Sequence, residues 1–302
     1  MARACSIGLL DGGGVVYGGE VSPASEIQIV VSRELLRNFR SVKGVILAVL
    51  SLLGGVSITL LIAKLDEIRQ RDFSAIAAEQ LREARVEGLT KAYGSADIAQ
   101  ALATAPLVLL MLLQLTVMLT PLLVALMGFD AVAPDIQHRS VRYWALRSRR
   151  WSYIVGKWMG LWVTVSAVTL TLDALVWIVC VARGDATVAA AVGWGLKLWL
   201  VTLPMSAAWC AIATLVSSLF RRPVLALLLT FAAFFTLWVV YLIGLASDAS
   251  HASALVYVYP NHYDRFLLHP HVDKLLTGLG ACLGMAAAYV GAGSFFFSRR
   301  DL

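Results

Sequence analysis

Long apolar stretches alternate with short polar ones along this chain. Six of the apolar stretches are long enough to cross a bilayer as helices, because roughly twenty helical residues span the hydrocarbon core. We number them spans 1 to 6, at about residues 42–63, 101–128, 154–182, 188–219, 223–245 and 274–297. Only 15% of the residues are charged, against about a quarter in a soluble domain. The pattern therefore predicts an all-α integral membrane protein with six transmembrane helices.

Residues 26–40, EIQIVVSRELLRNFR, come just before span 1 and have the spacing of an amphipathic helix. Apolar residues recur at every fourth position, while Arg33, Arg37 and Arg40 line the opposite face. Such a helix lies in the headgroup layer with its arginines near the lipid phosphates. A simple extension of span 1 is the alternative. Residues 1–25 are Gly-rich and lack the apolar core of a signal peptide, which predicts a flexible tail.

Residues 64–100 form the one sizeable polar insertion between spans. The segment is rich in helix-forming residues, and its six basic residues nearly balance its seven acidic ones. We expect one or two solvated helices here, with short-range charge pairs along them. A lid or a docking site for an external partner is the alternative.

Basic residues indicate which side of the membrane each connection faces. The segment from residue 128 to 160 carries five arginines between two spans, Arg139, Arg142, Arg147, Arg149 and Arg150, and fifteen of the 25 Lys and Arg fall on its side. Basic connections face the cytoplasm. We therefore expect both termini and this segment to be cytoplasmic, and the 64–100 insertion to be extracytoplasmic. The net charge of +6 follows this topology, so we expect no nucleic-acid partner.

Two ionisable residues, Asp173 in span 3 and Lys197 in span 4, lie in apolar surroundings. Each is twelve residues from the centre of the turn that joins the two spans, near residue 185, so they should lie at similar depth. Isolated charges in a membrane are costly and favour pairing. We expect an ion pair or polar contact between them in the outer half of the bilayer. A structural clamp, a place in a translocation path and snorkelling of Lys197 remain open as roles.

The sequence lacks two common motifs of metal-dependent catalysis and nucleotide binding. It has no HExxH zinc motif and no G-x-x-x-x-G-K-[ST] phosphate loop. Four of the five histidines lie between spans 5 and 6, without cysteines or an acidic cluster beside them. We therefore predict no catalytic, cofactor-binding or metal-binding residue in this chain.

Four features together resemble the membrane subunit of a bacterial type-2 ABC exporter, over residues 26–302. They are the amphipathic helix running into span 1, the pattern FD-x4-D-x3-R after span 2, the arginine-bearing YWALRSRRWSYIVGKWMG, and the short basic ending FFFSRRDL. In the second pattern the residues are Phe129, Asp130, Asp135 and Arg139. One departure is that Gln137-His138 precedes Arg139, where such proteins usually carry a Glu-Arg pair.

The resemblance implies a single six-helix permease domain over residues 26–302 that forms a dimer, most simply a homodimer, in the bacterial inner membrane. Each copy would be seated on a separate ATPase subunit, which binds ATP and Mg²⁺. Residues 26–40 would be an elbow helix at the interface, through Arg33, Arg37 and Arg40. Segment 130–150 would hold the coupling helix that docks on the ATPase. Its expected contact residues are Asp130, Asp135, Arg139, Arg142 and Arg147.

The expected function is that of a non-catalytic subunit coupling ATP hydrolysis to export of a lipid-like, peptide or small amphiphilic substrate. The alternative is an ATP-driven mechanical transmitter or scaffold in an envelope machine, which acts on an extracytoplasmic partner at residues 64–100 without transport. Deletion of the insertion separates the two, because it should abolish transmission and spare basal export.

Overall fold

The computed structural model describes residues 22–41, 78–138, 149–184, 186–247 and 253–299, with short pieces between residues 44 and 64. Every regular element in these residues is helical. The helices are α1 (Pro23–Arg40), α2 (Ala78–Tyr93), α3 (Ala96–Leu102), α4 (Leu107–Gly128), α5 (Ala133–Gln137), α6 (Arg150–Arg183), α7 (Val188–Leu219), α8 (Pro223–Ala246), α9 (Asp264–Leu267) and α10 (Val272–Ser298). Most of the predicted tail and most of span 1 lie outside the described residues.

Five helices in the described part of the chain are long and apolar enough to cross a membrane. They are α4 (continuing through α5), α6, α7, α8 and α10, and they correspond to predicted spans 2 to 6. Since short connections join most of them, neighbours in sequence run in opposite directions. We call the end with α1, α5 and the start of α6 the basic end. The opposite end carries α2, α3 and α9.

Helix α7 is the centre of the bundle. Of its most apolar stretch, 83% is buried inside the chain, against 17% for α8, and it packs on α4, α6, α8 and α10. Trp209, fully buried in α7, makes an edge-on ring contact with Phe234 of α8 at 4.6 Å between centroids. Helix α8 is therefore peripheral and leaves most of its apolar surface to its surroundings.

The start of span 2 differs from the prediction. Residues 96–102 form the separate helix α3, whose Ile98 and Leu102 are buried, and α4 begins only at Leu107. Pro106 is thus the residue just before α4. Proline has no N–H to continue a helix, and it is well tolerated where a helix begins.

Pro121 does lie inside α4, and a side chain from outside the helix compensates for it. Its missing N–H leaves the carbonyl of Val117, four residues earlier, without the usual partner. Asn261 Nδ2 donates to this carbonyl at 2.9 Å, and Asn261 Oδ1 accepts from Trp209 Nε1 at 2.8 Å. Asn261 therefore satisfies the interrupted backbone of α4 and ties it to α7.

The opposite end is covered by the described part of the 64–100 insertion and by the chain between α8 and α10. Helix α2 is joined to the start of α4, because Arg85 donates to the carbonyl of Ala105 and Gln114 Nε2 donates to Tyr93 Oη at 2.6 Å. Two 3₁₀ turns, Ser253–Val258 and Pro260–Tyr263, come before α9. These elements surround an open cavity of about 760 Å³ that includes Asp264. Burial raises the pKa of this carboxyl to about 6, although the N–H of Arg265 donates to it.

Gly280 and Gly284 of α10 have the GxxxG spacing, which lets two helices approach closely. An added Cβ at Gly280 or Gly284 would have no neighbour within 4 Å among the described residues. Gly278 and Gly293, by contrast, contact Phe266 and Leu215. Within the described chain, α10 therefore packs through the other face, and the GxxxG face stays open.

Candidate coupling site

The segment that leaves α4 at the basic end contains the residues predicted to contact an ATPase. Asp130 lies in the turn after α4, and Asp135 lies in α5. Arg139, Arg142 and Arg147 lie outside the described residues. Of the predicted coupling segment, the structure thus describes residues 130–138 and 149–150.

A buried serine of α7 holds the turn into α5. Ser217 Oγ accepts from the backbone N–H groups of Val132 and Ala133, at 3.0 and 3.1 Å, and donates to the carbonyl of Phe129 at 2.8 Å. These are backbone groups at the end of one helix and the start of the next, which lack intrahelical partners. Ser217 is fully buried, so the turn that leads into α5 is attached to the central helix of the bundle by three hydrogen bonds.

Four charged residues and a tyrosine from three helices meet beside α5, and we call them the charge cluster: Glu34, Arg37, Asp135, Tyr153 and Lys157. Lys157 Nζ of α6 lies 2.7 Å from Glu34 Oε1 of α1 and 2.5 Å from Asp135 Oδ2 of α5. Tyr153 Oη donates to the same Asp135 oxygen at 2.5 Å. The ammonium group of Lys157 therefore joins three helices.

The charge cluster is close to neutral in total charge, and its lysine and two carboxylates are shielded from solvent, whereas Arg37 is 36% exposed. The side chains of Lys157, Glu34 and Asp135 are 3%, 5% and 15% exposed. Arg37 supplies the second positive charge, with Nη2 at 2.6 Å from Glu34 Oε2. Two cations thus face two carboxylates. Buried charges are tolerated when each has a partner, and removing one partner of such a pair typically costs about 3–5 kcal/mol.

Two glycines of α6 allow α1 to come close enough for these contacts. A Cβ built on Gly156 would lie 2.7 Å from Cβ of Val30, and one on Gly160 would lie 2.7 Å from Cβ of Glu34. Both distances are shorter than real Cβ contacts. Asn38 Nδ2 also donates to Thr164 Oγ1 at 3.1 Å, further along the same crossing. Helix α1 therefore lies directly against α6 at the place where Glu34 meets Lys157.

The elbow-helix arginines do not all lie as predicted. Arg33 and Arg40 are exposed, which agrees with a polar face. Arg37 turns toward the bundle instead, and besides Glu34 it contacts the carbonyl of Asp130 at 3.4 Å. The reason is the helical phase: Glu34 and Arg37 are one turn apart, and Glu34 lies on the buried face with Val30. Arg37, which was predicted to lie near lipid phosphates, therefore belongs to the charge cluster.

The ion pair predicted between Asp173 and Lys197 is replaced by two separate contacts. Asp173 is buried and accepts from Thr116 Oγ1 of α4 at 3.3 Å. Lys197 is exposed, and its Nζ lies 4.7 Å from the centre of the Trp194 ring. Gly195 of α7 packs against Trp177 of α6, so Lys197, two residues further along a helix, points away from α6. Equal depth along two neighbouring helices does not bring two side chains together, because their directions depend on how each helix is rotated about its axis.

Sequence reasoning also missed part of the site. Glu34 and Lys157 are separated by more than 120 positions, and neither was predicted to be a site residue. One local signal was present, because Gly156 and Gly160 have the small-x-x-x-small spacing that brings helices together, and Lys157 lies between them. The glycine spacing predicts that another helix crosses α6 closely at this point. Glu34 of α1 is the charged residue that meets Lys157 at this crossing.

Comparison with protein families decides which class of membrane protein this is. A family model described as ABC-2 family transporter protein matches residues 28–302. The chain belongs to the ABC-2 transporter family. Members are the membrane components of ABC transporters, so the chain is a multi-pass membrane permease, and a partner ATPase subunit is implied. The resemblance seen in the sequence is confirmed. A search of curated proteins finds no match.

Proposed function

We propose that this ABC-2 permease couples ATP hydrolysis on separate ATPase subunits to the export of an amphiphilic substrate. In this proposal the partner subunits bind ATP and Mg²⁺. The chain itself provides the conformational change and the path for the substrate. The observation that carries the proposal is the charge cluster. It connects α5, at the start of segment 130–150, to two other helices through buried ion pairs.

The basic end is assigned to the cytoplasm. Arginines occur there on α1, before α6, between α7 and α8 and after α10, as in Arg40, Arg149, Arg222 and Arg299. Basic connections are retained on the cytoplasmic side. In this orientation both termini are cytoplasmic in a bacterial inner membrane, and α2 and α3 lie outside it.

The proposed coupling runs from segment 130–150 into the bundle. When nucleotide changes the arrangement of the ATPase subunits, the segment docked on them moves and α5 moves with it. Asp135 is bound to Lys157 of α6, and Lys157 to Glu34 of α1, so both helices receive the displacement. The hydrogen bonds of Ser217 to the turn before α5 transmit the same displacement to α7. Nucleotide drives the change by binding more tightly to one arrangement than to the other.

A second copy of the chain is proposed to complete the permease. Helix α8 leaves large apolar side chains exposed, among them Leu228, Phe235 and Trp238. Such a surface suits lipid or another copy of the bundle.

The cavity at the opposite end, with Tyr241, Tyr259 and Gln114 in its lining, supports an amphiphilic substrate because it combines aromatic and polar groups.

The proposal is tested by purifying the tagged chain from native membranes under gentle extraction. We expect two copies with two nucleotide-binding subunits and an ATPase activity. Replacement of Arg139→Glu and Arg142→Glu together should release the ATPase, because both residues lie in the proposed docking segment. Arg221→Glu with Arg222→Glu is the matched control at the same end of the bundle, and it should leave the complex intact. A stable chain with no ATPase partner would contradict the proposal.

A mechanical transmitter is the second candidate, and the anchoring of α2 favours it. Arg85 and Tyr93 fix this largely exposed helix to α4, so movement of α4 would be passed to an external partner. We expect replacement of residues 66–92 by a short Gly-Ser linker, which keeps the buried helix α3, to spare basal ATPase activity and export. Complete loss of function in cells, with the ATPase complex still assembled, would favour the transmitter.

A further inference from the structure

Asp173 lies beside a cavity of about 200 Å³ between span 1, α4 and α6. The carboxyl is 5% exposed and belongs to the cavity lining, which is otherwise mostly leucine side chains with a few threonines. Along α6 it is about 24 Å from Lys157, at 1.5 Å per residue, so the cavity is separate from the charge cluster. An ionisable group at this depth is costly and points to a function.

The polar groups in this cavity accept hydrogen bonds and have no proton left to donate. Thr116 Oγ1 already donates to Asp173, Thr120 Oγ1 to the carbonyl of Thr116, and Thr169 Oγ1 to the carbonyl of Ser166. Thr169 Oγ1 also accepts already from Trp199 Nε1 at 3.3 Å. The acceptors left in the lining are therefore the carboxylate and the hydroxyl oxygens of Thr116 and Thr120. A ligand that fits them must bring N–H donors, and a positive charge would balance Asp173.

Nothing in the described lining neutralises Asp173. The described residues around the cavity include no Lys, Arg or His, and Lys197 is turned outward onto Trp194. On the other side of Asp173, the space closed by Trp177 and Trp199 has a volume of only about 10 Å³, which is room for about one water. A ligand of any size can therefore reach Asp173 only from the 200 Å³ cavity.

The size and lining of the cavity restrict the ligand further. At about 200 Å³ it is smaller than the roughly 300–1,000 Å³ of a pocket for a drug-sized molecule. An inorganic cation would need several oxygen ligands around it, whereas leucines form most of this wall. The space suits the head and first carbons of a chain whose remainder lies in lipid. We propose that this cavity binds the primary ammonium group of a cationic amphiphile.

This inference rests on the proposed function in one respect, because the bound amphiphile would be the transported substrate. The binding itself is independent of ATP. A chain that binds the amine but recruits no ATPase would contradict the proposed export alone. A chain that forms the ATPase complex but does not distinguish the amine would contradict this inference alone.

The test uses the full chain in phosphatidylcholine nanodiscs and equilibrium dialysis with radiolabelled dodecylamine. Dodecanol, with the same chain length and no charge, is the comparison ligand, and empty nanodiscs give the lipid background. We expect saturable binding of one amine per chain, at least tenfold tighter than that of the alcohol. Asp173→Asn, which preserves the shape of the side chain, should weaken amine binding at least tenfold. Lys197→Met should not change it.

A second variant tests the cavity without altering Asp173. An added Cβ at Gly54 meets no described atom within 4 Å, and this residue lines the cavity, so Gly54→Leu should fill it and exclude the amine. Equal binding of amine and alcohol would mean that Asp173 is simply protonated, and it would overturn the proposal. Undiminished amine binding by Asp173→Asn or by Gly54→Leu would also overturn it.

Discussion

Replacing Lys157 by methionine is expected to lower the free energy of unfolding by about 3–5 kcal/mol, the cost of leaving a buried charge without its partner. The ammonium group lies between Glu34 and Asp135, at 2.7 and 2.5 Å. Without it, two buried carboxylates remain with Arg37 as the nearby cation in the cluster. Unfolding by SDS titration in mixed micelles, followed by tryptophan fluorescence, measures the loss. ATPase activity of the assembled complex should also become insensitive to substrate.

Lys197→Met is the matched control, since the same change is made at an exposed lysine. Its ammonium group contacts only the Trp194 ring in the described structure, so we expect a change within about 1 kcal/mol. Equal effects of the two substitutions would contradict the assignment of Lys157 to a buried cluster. Combining Glu34→Gln with Lys157→Met should cost less than the sum of the single changes, with a coupling energy of about 0.5–3 kcal/mol.

Substituting alanine for Gly156 or Gly160 is expected to cost about 1–3 kcal/mol for each site, as in other overpacked cores. The new Cβ atoms would lie 2.7 Å from Cβ of Val30 or Glu34, so α1 must move away from α6. That movement would also pull Glu34 from Lys157 and weaken the charge cluster. The same SDS titration measures stability, and ATPase activity with and without substrate measures coupling.

Gly193 provides the control for this second prediction. It lies in α7, is exposed, and has no neighbour within 4 Å of an added Cβ. Gly193→Ala should therefore leave stability unchanged or raise it by up to about 1 kcal/mol, because alanine favours the helix. If Gly160→Ala behaved like Gly193→Ala, the crossing of α1 and α6 would not be as close as the structure has it.

Much of the helical organisation could be predicted because it depends on local properties. The length and hydropathy of spans 3 to 6 define α6, α7, α8 and α10. The first part of α1 shows the same point: Ser22 Oγ caps the helix by accepting from the N–H of Ser25 at 3.3 Å, and Pro23 opens it. Span 2 was placed too early because residues 101–128 form one apolar run in sequence. The end of α3 and the turn at residues 103–106 belong to that run, although α4 begins only at Leu107.

The candidate site was predicted less completely, and the reason is geometric. Asp135 was expected to face an ATPase, and the structure directs its carboxylate inward to Lys157 and Tyr153. Asp173 and Lys197 were expected to meet, but Asp173 is buried beside Thr116 whereas Lys197 is exposed beside Trp194. In each case the residue type was recognised, but the direction of its side chain depends on how one helix is rotated against another.

The amino-acid sequence by itself determined that this chain is a membrane-spanning helical protein of the ABC-2 family, because hydrophobic length and motif order are properties of consecutive residues. Only the tertiary structure decided which charges meet. Glu34, Asp135 and Lys157 lie on three helices, and Glu34 is more than 100 positions from the other two. Its contact with Lys157 requires that α1 approach α6 at Gly156 and Gly160. Close approach and helix rotation arise from packing, which no single segment encodes.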